Sequence, residues 1–187
     1  MILLSILLSI LLGAFTWSFL EYVIHRWLGH DRRFRGNPFG KEHLRHHVEG
    51  DYFAASWKKA IFAVVVSTIM GVPAVLLAGV YGAAWVAGFV AFYAAYEVLH
   101  RREHTHAGIG PYGRWARRHH FHHHFVDGRA NHGVTSPLWD LAFGTYRQPA
   151  VIPVPQRLCM AWLLDPHTRE VRSEHAARYT LRTTARA

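Results

Sequence analysis

Long apolar stretches alternate with polar ones along the chain, and they predict helices that cross a membrane. The first stretch, residues 1–24, is apolar except for Glu21. The second, residues 60–99, would be roughly 60 Å long as a single helix, about twice the thickness of a membrane core. The glycines of Gly79-Val-Tyr-Gly82 interrupt it near the middle. We therefore predict one span followed by a hairpin of two spans.

The first stretch could instead be a signal peptide that is removed. It lacks the basic leader of such peptides, and its apolar run continues directly to His25. We therefore expect it to be retained as a span.

The basic residues are segregated from these stretches, and this determines the predicted orientation. Of the 21 lysines and arginines, seven lie in residues 31–59 and thirteen in residues 101–187. The positive-inside rule places both segments in the cytoplasm. The net charge of +9 does not indicate nucleic acid binding, because a soluble basic protein would not have long stretches free of charge. A single cysteine, Cys159, fits the reducing side.

The 16 histidines are concentrated after the predicted spans, in four short motifs. His25 and His30 end the first span, the next loop contains HLRHH, the third span ends in HRREH, and HHFHHHF follows. Residues three and four apart share a helix face, so the last three motifs each present two or three rings together. The final motif fits this spacing in two registers, either His119, His122 and His123 or His120, His123 and His124.

Such crowded rings would repel one another if they were protonated, and a bound metal ion explains how they stay neutral. All four motifs lie on the predicted cytoplasmic side. Ten or so ligands exceed the number that one ion takes, which is about four to six. We therefore predict two metal ions held almost entirely by histidine, of an element that suits imidazole, such as iron, zinc or copper.

The order HxxxxH, HxxHH, HxxxH, HxxHH resembles the fatty acid hydroxylase superfamily, membrane di-iron enzymes that include sterol desaturases and carotenoid hydroxylases. The resemblance covers about residues 18–147 and includes NHGVTSPLWDLAFGTY, residues 131–146. In that family an aromatic residue follows the last histidine pair, as Phe125 does here. The resemblance therefore favours the second register. It implies these metal ligands: His25, His30, His43, His46, His47, His100, His104, His120, His123 and His124.

The resemblance also implies a fold and a reaction. The fold would be an all-α integral membrane protein with about three transmembrane helices and a cytoplasmic cap of histidine-rich helices. The enzyme would use two iron ions, which zinc could replace in purified protein, and O2 to hydroxylate a membrane lipid such as a fatty acyl chain. Desaturation of a sterol or another lipid, and hydroxylation of a carotenoid, are alternatives within the family. We find no fused cytochrome, so we expect a separate electron donor, a b-type cytochrome or a ferredoxin with its reductase.

Six further residues near the motifs are candidates for hydrogen bonds that orient the ligand rings: Glu21, Glu97, Asp140, His119, His122 and His132. For the three acids, salt bridges with nearby arginines are an equal alternative. We treat residues 1–187 as one domain in which residues 151–187 form a basic tail, a membrane-surface or frayed element.

Other functions would use fewer of the histidines. His100-Arg-Arg-Glu-His104 matches the HxxEH pattern of inverted zinc peptidases, with Glu103 as general base. Carboxylate-bridged di-iron bundles need inward glutamates that the other helices lack. Metal storage or transport would place histidines along the spans, which contain none.

Overall fold

The structure is a computed structural model that describes residues 1–34, 36–107 and 110–183. In the N-terminal half, helix α1 continues directly into a π-helix, and two further long helices follow a shorter one: α1 Ile2–Val23, π-helix Ile24–Gly29, α2 Pro38–Glu49, α3 Ser56–Ala78 and α4 Val80–Thr105. The later elements are shorter: α5 Gly110–Phe125, α6 Leu138–Ala142, β1 Ile152–Pro155, α7 Ser173–Ala176 and β2 Tyr179–Arg182. Single 3₁₀ turns occur at Arg32–Phe34 and Gln156–Leu158.

Three helical segments among the described residues are long and apolar enough to cross a membrane: Ile2–Gly29, Ser56–Ala78 and Val80–Thr105. Their side chains are largely exposed, as expected for surfaces that face lipid. The prediction of a mainly helical membrane protein with three spans is confirmed.

The break between the second and third spans is shorter than the predicted turn at residues 79–82. It is Gly79 alone, with φ of +54°, a conformation that glycine adopts without strain. Gly82 already belongs to α4, where a Cβ atom would collide with the main chain at Ala74. Gly82 thus lets α3 and α4 approach each other closely just after the turn.

The chain divides into two compact units, and the first consists of Met1–Glu21 and Ala54–Val98. In this unit α1 and α4 touch through glycines, since a Cβ at Gly13 or Gly88 would collide with the main chain of the other helix. Such close contacts are typical of helices packed in lipid. Trp17 of α1 also packs edge-on against Phe89 of α4, with ring centroids 5.3 Å apart.

The second unit consists of Tyr22–Phe53 and Leu99–Ala187. Strands β1 and β2 pair in parallel, with Ile152 opposite Tyr179. The sheet contributes to a buried core with α5, made of Phe121, Phe125, Ile152, Val154, Leu163 and Tyr179. Residues 151–183 are therefore packed into this unit and are not frayed, and their expected place at the membrane surface stays a prediction. Isolated apolar residues from four-residue strands and turns fill one core here, a pattern without a regular period in the sequence.

Candidate metal centre

The ten histidines expected to bind metal lie together in the second unit, in two groups of five. Within each group, one ring nitrogen of every member lies within 4.8 Å of the others. The first group contains His25, His30, His43, His47 and His123. The second group contains His46, His100, His104, His120 and His124.

Helices α2 and α5 each contribute to both groups: α2 gives two rings to the first group and one to the second, and α5 gives one to the first and two to the second. From α2, His43 and His47 belong to the first group and His46 to the second. From α5, His120 and His124 belong to the second group and His123 to the first. In each HxxHH motif the pair four residues apart therefore serves one group, and the remaining ring serves the other. The sequence predicted three rings together on each helix, and it did not predict this division.

The other two ring pairs come from the segments that end the first and third spans. The π-helix with its C-terminal neighbour contributes His25 and His30 to the first group, and α4 contributes His100 and His104 to the second. Each group therefore has a pair from one span, a pair from one HxxHH helix and a single ring from the other. The two groups are built to the same plan.

The π-helix explains the five-residue spacing of His25 and His30. In a regular α-helix, residues five apart point about 140° away from each other. The wider turn of a π-helix, with hydrogen bonds between residues five apart, brings such a pair back to one face. The two ring centroids are 5.3 Å apart.

Local sequence fixes both ends of α2. The Asn37 side chain accepts a hydrogen bond from the Gly40 amide (2.8 Å), and Pro38 takes the first helical position. At the other end Gly50 has φ of +74°, and its amide donates to the His46 carbonyl. The histidine motif therefore occupies the last turns of a well-bounded helix.

The ring nitrogens in each group face one another at hydrogen-bond distances. In the first group, Nε2 of His30 lies 2.8 Å from Nε2 of both His43 and His123. In the second group, Nε2 of His104 lies 3.1 Å from Nε2 of His120. Converging ring nitrogens of this kind suit a shared cation better than they suit each other, because a neutral imidazole has only one N–H.

Burial keeps these rings neutral. Burial, with a smaller effect from the neighbouring His132, lowers the pKa of His30 to about 4. Burial followed by repulsion from neighbouring rings holds the pKa of five more members well below the usual value of about 6.5: His43, His47, His120, His123 and His124. Neutral imidazole is the form that binds metal, so the donor set fits a metal ion in each group.

Three rings are oriented by main-chain carbonyl groups. Nδ1 of His25 donates to the His132 carbonyl, and Nδ1 of His123 donates to the Ala130 carbonyl at 2.8 Å. In the second group, Nδ1 of His46 donates to the Tyr52 carbonyl at 2.7 Å. A carbonyl can only accept, so each bond fixes the tautomer and leaves Nε2 as the lone-pair donor.

Asp140 organises the loop that supplies two of these carbonyls. Its buried carboxylate accepts from the amides of His132 and Gly133, both at 2.8 Å, and from the Thr145 hydroxyl at 2.7 Å. The His119 ring lies 3.2 Å from its Oδ2. Burial alone would raise the pKa of Asp140, but these hydrogen bonds hold it well below its usual range.

The remaining candidates for orienting ligand rings lie in different surroundings. His119 is outside both groups and stacks between Trp115 and Tyr146, while His122 is half-buried on α5. His132 is buried, with its ring centroid 5.2 Å from that of His123. In the first unit, Glu97 pairs with Lys59, and Glu21 is buried. Glu97 was expected either to orient a ligand ring or to pair with an arginine, and its ion pair is with a lysine instead.

Sequence reasoning missed two residues beside the second group. Arg117 is almost fully buried on α5, and Trp162 donates from Nε1 to the His104 carbonyl at 2.9 Å. In the sequence, Arg117 precedes the HHFHHHF motif and resembles an ordinary surface arginine. Trp162 lies in the segment that was expected to be a tail. No local pattern marks either of them.

Comparison with known proteins gives consistent matches. A family model described as fatty acid hydroxylase matches residues 10–145. The ceramide very long chain fatty acid hydroxylase SCS7 of Saccharomyces cerevisiae is 28% identical over 144 residues, which are 73% of this chain and 37% of that protein. The dihydroceramide fatty acyl 2-hydroxylase FAH1 of Arabidopsis thaliana is 27% identical over 140 residues, covering 73% and 59%. Human fatty acid 2-hydroxylase is 29% identical over 145 residues, covering 72% and 38%.

A solved structure also matches. It is described as full-length scs7p with only the hydroxylase domain visible, and it aligns with a TM-score of 0.60 and 28% identity. The alignment covers 78% of this chain and 57% of that one. The chain spans between 37% and 59% of the length of the three curated relatives described above.

Proposed function

Since the chain belongs to the fatty acid hydroxylase family, we propose that it is an O2-dependent oxygenase that hydroxylates the fatty acyl chain of a membrane lipid. The observation that carries this proposal is the pair of five-histidine groups, which offer two adjoining metal positions with almost no other donor type. We propose that both hold iron when the enzyme is active and that zinc can take their place in purified protein. Bound iron would supply the redox chemistry that activates O2.

The names of the relatives support the choice of substrate and reaction. SCS7 is named for ceramide and very long chain fatty acids, and FAH1 and the human protein are named as 2-hydroxylases. We therefore favour hydroxylation at carbon 2 of a fatty acyl chain over sterol desaturation and carotenoid hydroxylation. One oxygen atom enters a C–H bond and the other leaves as water. The reaction takes two electrons and two protons, which we assign to a b-type cytochrome or to a ferredoxin with its reductase.

The protein's own residues would contribute in three ways. The histidines hold the ions, and the carbonyls at Tyr52, Ala130 and His132 fix the direction of three rings. The burial of most of the rings limits the access of water to the centre. The three spans make the protein part of the membrane, so that a lipid substrate can reach it from the bilayer. By the positive-inside rule we propose that the centre faces the cytoplasm.

A peptidase is the weaker alternative. In the HRREH motif Glu103 would have to act as general base beside a zinc ion. Neither histidine group includes a carboxylate among the described residues, and the same observation weighs against a carboxylate-bridged di-iron site. A peptidase would also leave the first group without a role.

Metal content is the first test. Freshly purified, unchelated protein should contain about two transition-metal ions per chain by elemental analysis. Replacing one ligand from each group, as His43→Ala or His104→Ala, should lower this to about one, because each variant disables a different group. His167→Ala, at an exposed position, is the matched control and should leave two. One ion or none in the wild-type protein would refute the dinuclear proposal.

Product formation is the second test. Cells expressing the chain with a compatible donor and grown under ¹⁸O2 should accumulate hydroxylated fatty acyl lipids that carry one labelled atom, measured by mass spectrometry. The His43→Ala chain should form none, because it lacks a complete centre. Loss of two hydrogens without added oxygen would instead indicate a desaturase. No change in any acyl, sterol or carotenoid pool would contradict the assignment as an oxygenase.

A further inference from the structure

The C-terminal segment, residues 151–182, contacts the C-terminal ends of α2 and α4, two of the three helices that carry the second histidine group. The family model ends at residue 145, so this segment lies outside the matched region. We propose that its Trp162 positions the second group specifically, acting on His104, and that this contact has little influence on the first group. This inference rests on the metal-binding part of the proposed function.

The end of α4 is held by two side chains that bind main-chain carbonyls. Trp162 donates from Nε1 to the His104 carbonyl at 2.9 Å. Arg117 donates to the carbonyls of Glu103 at 2.9 Å, Ala107 at 2.6 Å and His106. The last carbonyls of a helix have no partner within it, so these bonds satisfy the final turn, the one that carries His104.

Arg117 and Trp162 also support each other. The Arg117 guanidinium lies over the Trp162 ring, 4.2 Å from its centroid. Arg117 is almost completely buried, so its charge depends on these carbonyl and ring contacts. The ring of Phe121, a core residue of the same region, lies 5.1 Å from that of His104. The direction of His104 is therefore set by the folded C-terminal segment as well as by α4.

The end of α2, which carries His46 of the second group and His47 of the first, meets the same segment. Arg157 donates from Nη1 to the Val48 carbonyl at 3.0 Å. Leu158 packs over Gly50, close enough that a Cβ atom at Gly50 would lie 3.3 Å from it. Gly50 ends α2 by donating to the His46 carbonyl at 2.8 Å. The segment thus touches the last turn of both helices that supply the second group together with α5.

The first group has a separate support. Two of its rings, His25 and His123, are oriented by carbonyls of residues 130–132, and Asp140 holds that loop. Its other contributors are the π-helix and α2. Removal of the Trp162 N–H should therefore disturb one ion and spare the other, whereas general loosening of the fold would disturb both.

The experiment measures each group alone. In the His43→Ala background only the second group is complete, and in the His124→Ala background only the first. Trp162→Phe keeps the aromatic ring and removes the donor. Metal-free protein of each background, with and without Trp162→Phe, is titrated with Co(II), and the ligand-field absorption reports the environment of the bound ion. Trp57→Phe, at an exposed position on α3, is the matched control.

We expect Trp162→Phe to weaken Co(II) binding about tenfold or more in the His43→Ala background, with an altered absorption spectrum. In the His124→Ala background the affinity should change less than about twofold. Equal weakening in both backgrounds, or no change in either, would overturn the proposal. If Trp162→Phe does not fold, Trp162→Tyr, which also lacks the indole N–H, applies the same test at the same contact. A wild-type chain that binds fewer than two ions would refute the proposed dinuclear centre. The effect of Trp162→Phe on each group would still be measured separately in the two backgrounds.

Discussion

At the scale of single residues, the clustered histidines show what a sequence can and cannot specify. The ligand candidates could be predicted because rings three and four residues apart share a helix face. Their carbonyl partners at Tyr52, Ala130 and His132 could not, since every residue has a carbonyl and no side chain marks these three. Asp140 was a candidate only through its position near the motifs. Its role is to hold the loop at residues 130–133 through hydrogen bonds, and only the three-dimensional structure shows this role.

The register of the last motif leads to a residue-scale prediction. His120, His123 and His124 each belong to a group, whereas His119 hydrogen bonds to Asp140 and His122 is half-buried outside both groups. His120→Gln, His123→Gln and His124→Gln should each abolish activity and reduce metal content by about one ion. His119→Gln and His122→Gln should keep two ions and partial activity, since glutamine at 119 can still donate to Asp140 and His122 lies outside both groups.

Product assays and elemental analysis on the same preparations check this prediction. If His119→Gln and His122→Gln are both inactive while His120→Gln survives, the ligands follow the other register.

At the scale of elements, hydropathy and glycine positions predicted the spans well because lipid demands continuous apolar helices. The histidine helices were predicted less completely. Periodicity placed three rings on one face, but it could not show that α2 and α5 lie between two metal positions and divide their rings. The π-helix was also not predicted, although the five-residue spacing of His25 and His30 conflicts with an ordinary α-helix.

The π-helix gives an element-scale prediction. Deletion of Trp27 would leave the two histidines four residues apart, a spacing at which an ordinary α-helix keeps both on one face. We expect this variant to retain about two ions per chain. Insertion of an alanine after Trp27 should lose the ion of the first group, because neither helix type aligns rings six apart.

Elemental analysis of both variants, with Trp27→Ala as the control, decides the matter. Loss of metal on deletion together with retention on insertion would show that the wide turn does not align the pair.

At the scale of the whole molecule, the distribution of charge predicts the orientation. Residues 31–59 and 101–187 carry 20 of the 21 basic residues and should face the cytoplasm, with residue 1 and the turn at Gly79 outside. In a Cys159→Ser background, Tyr81→Cys should react with an impermeant thiol reagent in intact cells. Arg33→Cys, also exposed, should react only after permeabilisation. Tyr81 is preferable to Gly82, where a side chain would collide with Ala74.

The opposite labelling pattern would invert the topology, and labelling of both sites in intact cells would contradict it.

The folded segment at residues 151–183 was the main feature of the whole molecule that the sequence did not reveal. Prolines within β1 argue against a strand, and its parallel partner lies far along the chain.

The placement of the Trp162 contact has a consequence for how the protein is made. A ribosome adds roughly 5–20 residues per second, so roughly 5–20 s separate the synthesis of His25 from that of His123, its neighbour 98 positions later in the first group. The partner of the His104 carbonyl, Trp162, emerges later still. Nascent chains therefore expose unsupported imidazoles while the spans are already entering the membrane. We therefore expect metal to bind each group only after the last ligands, on α5, have been synthesised.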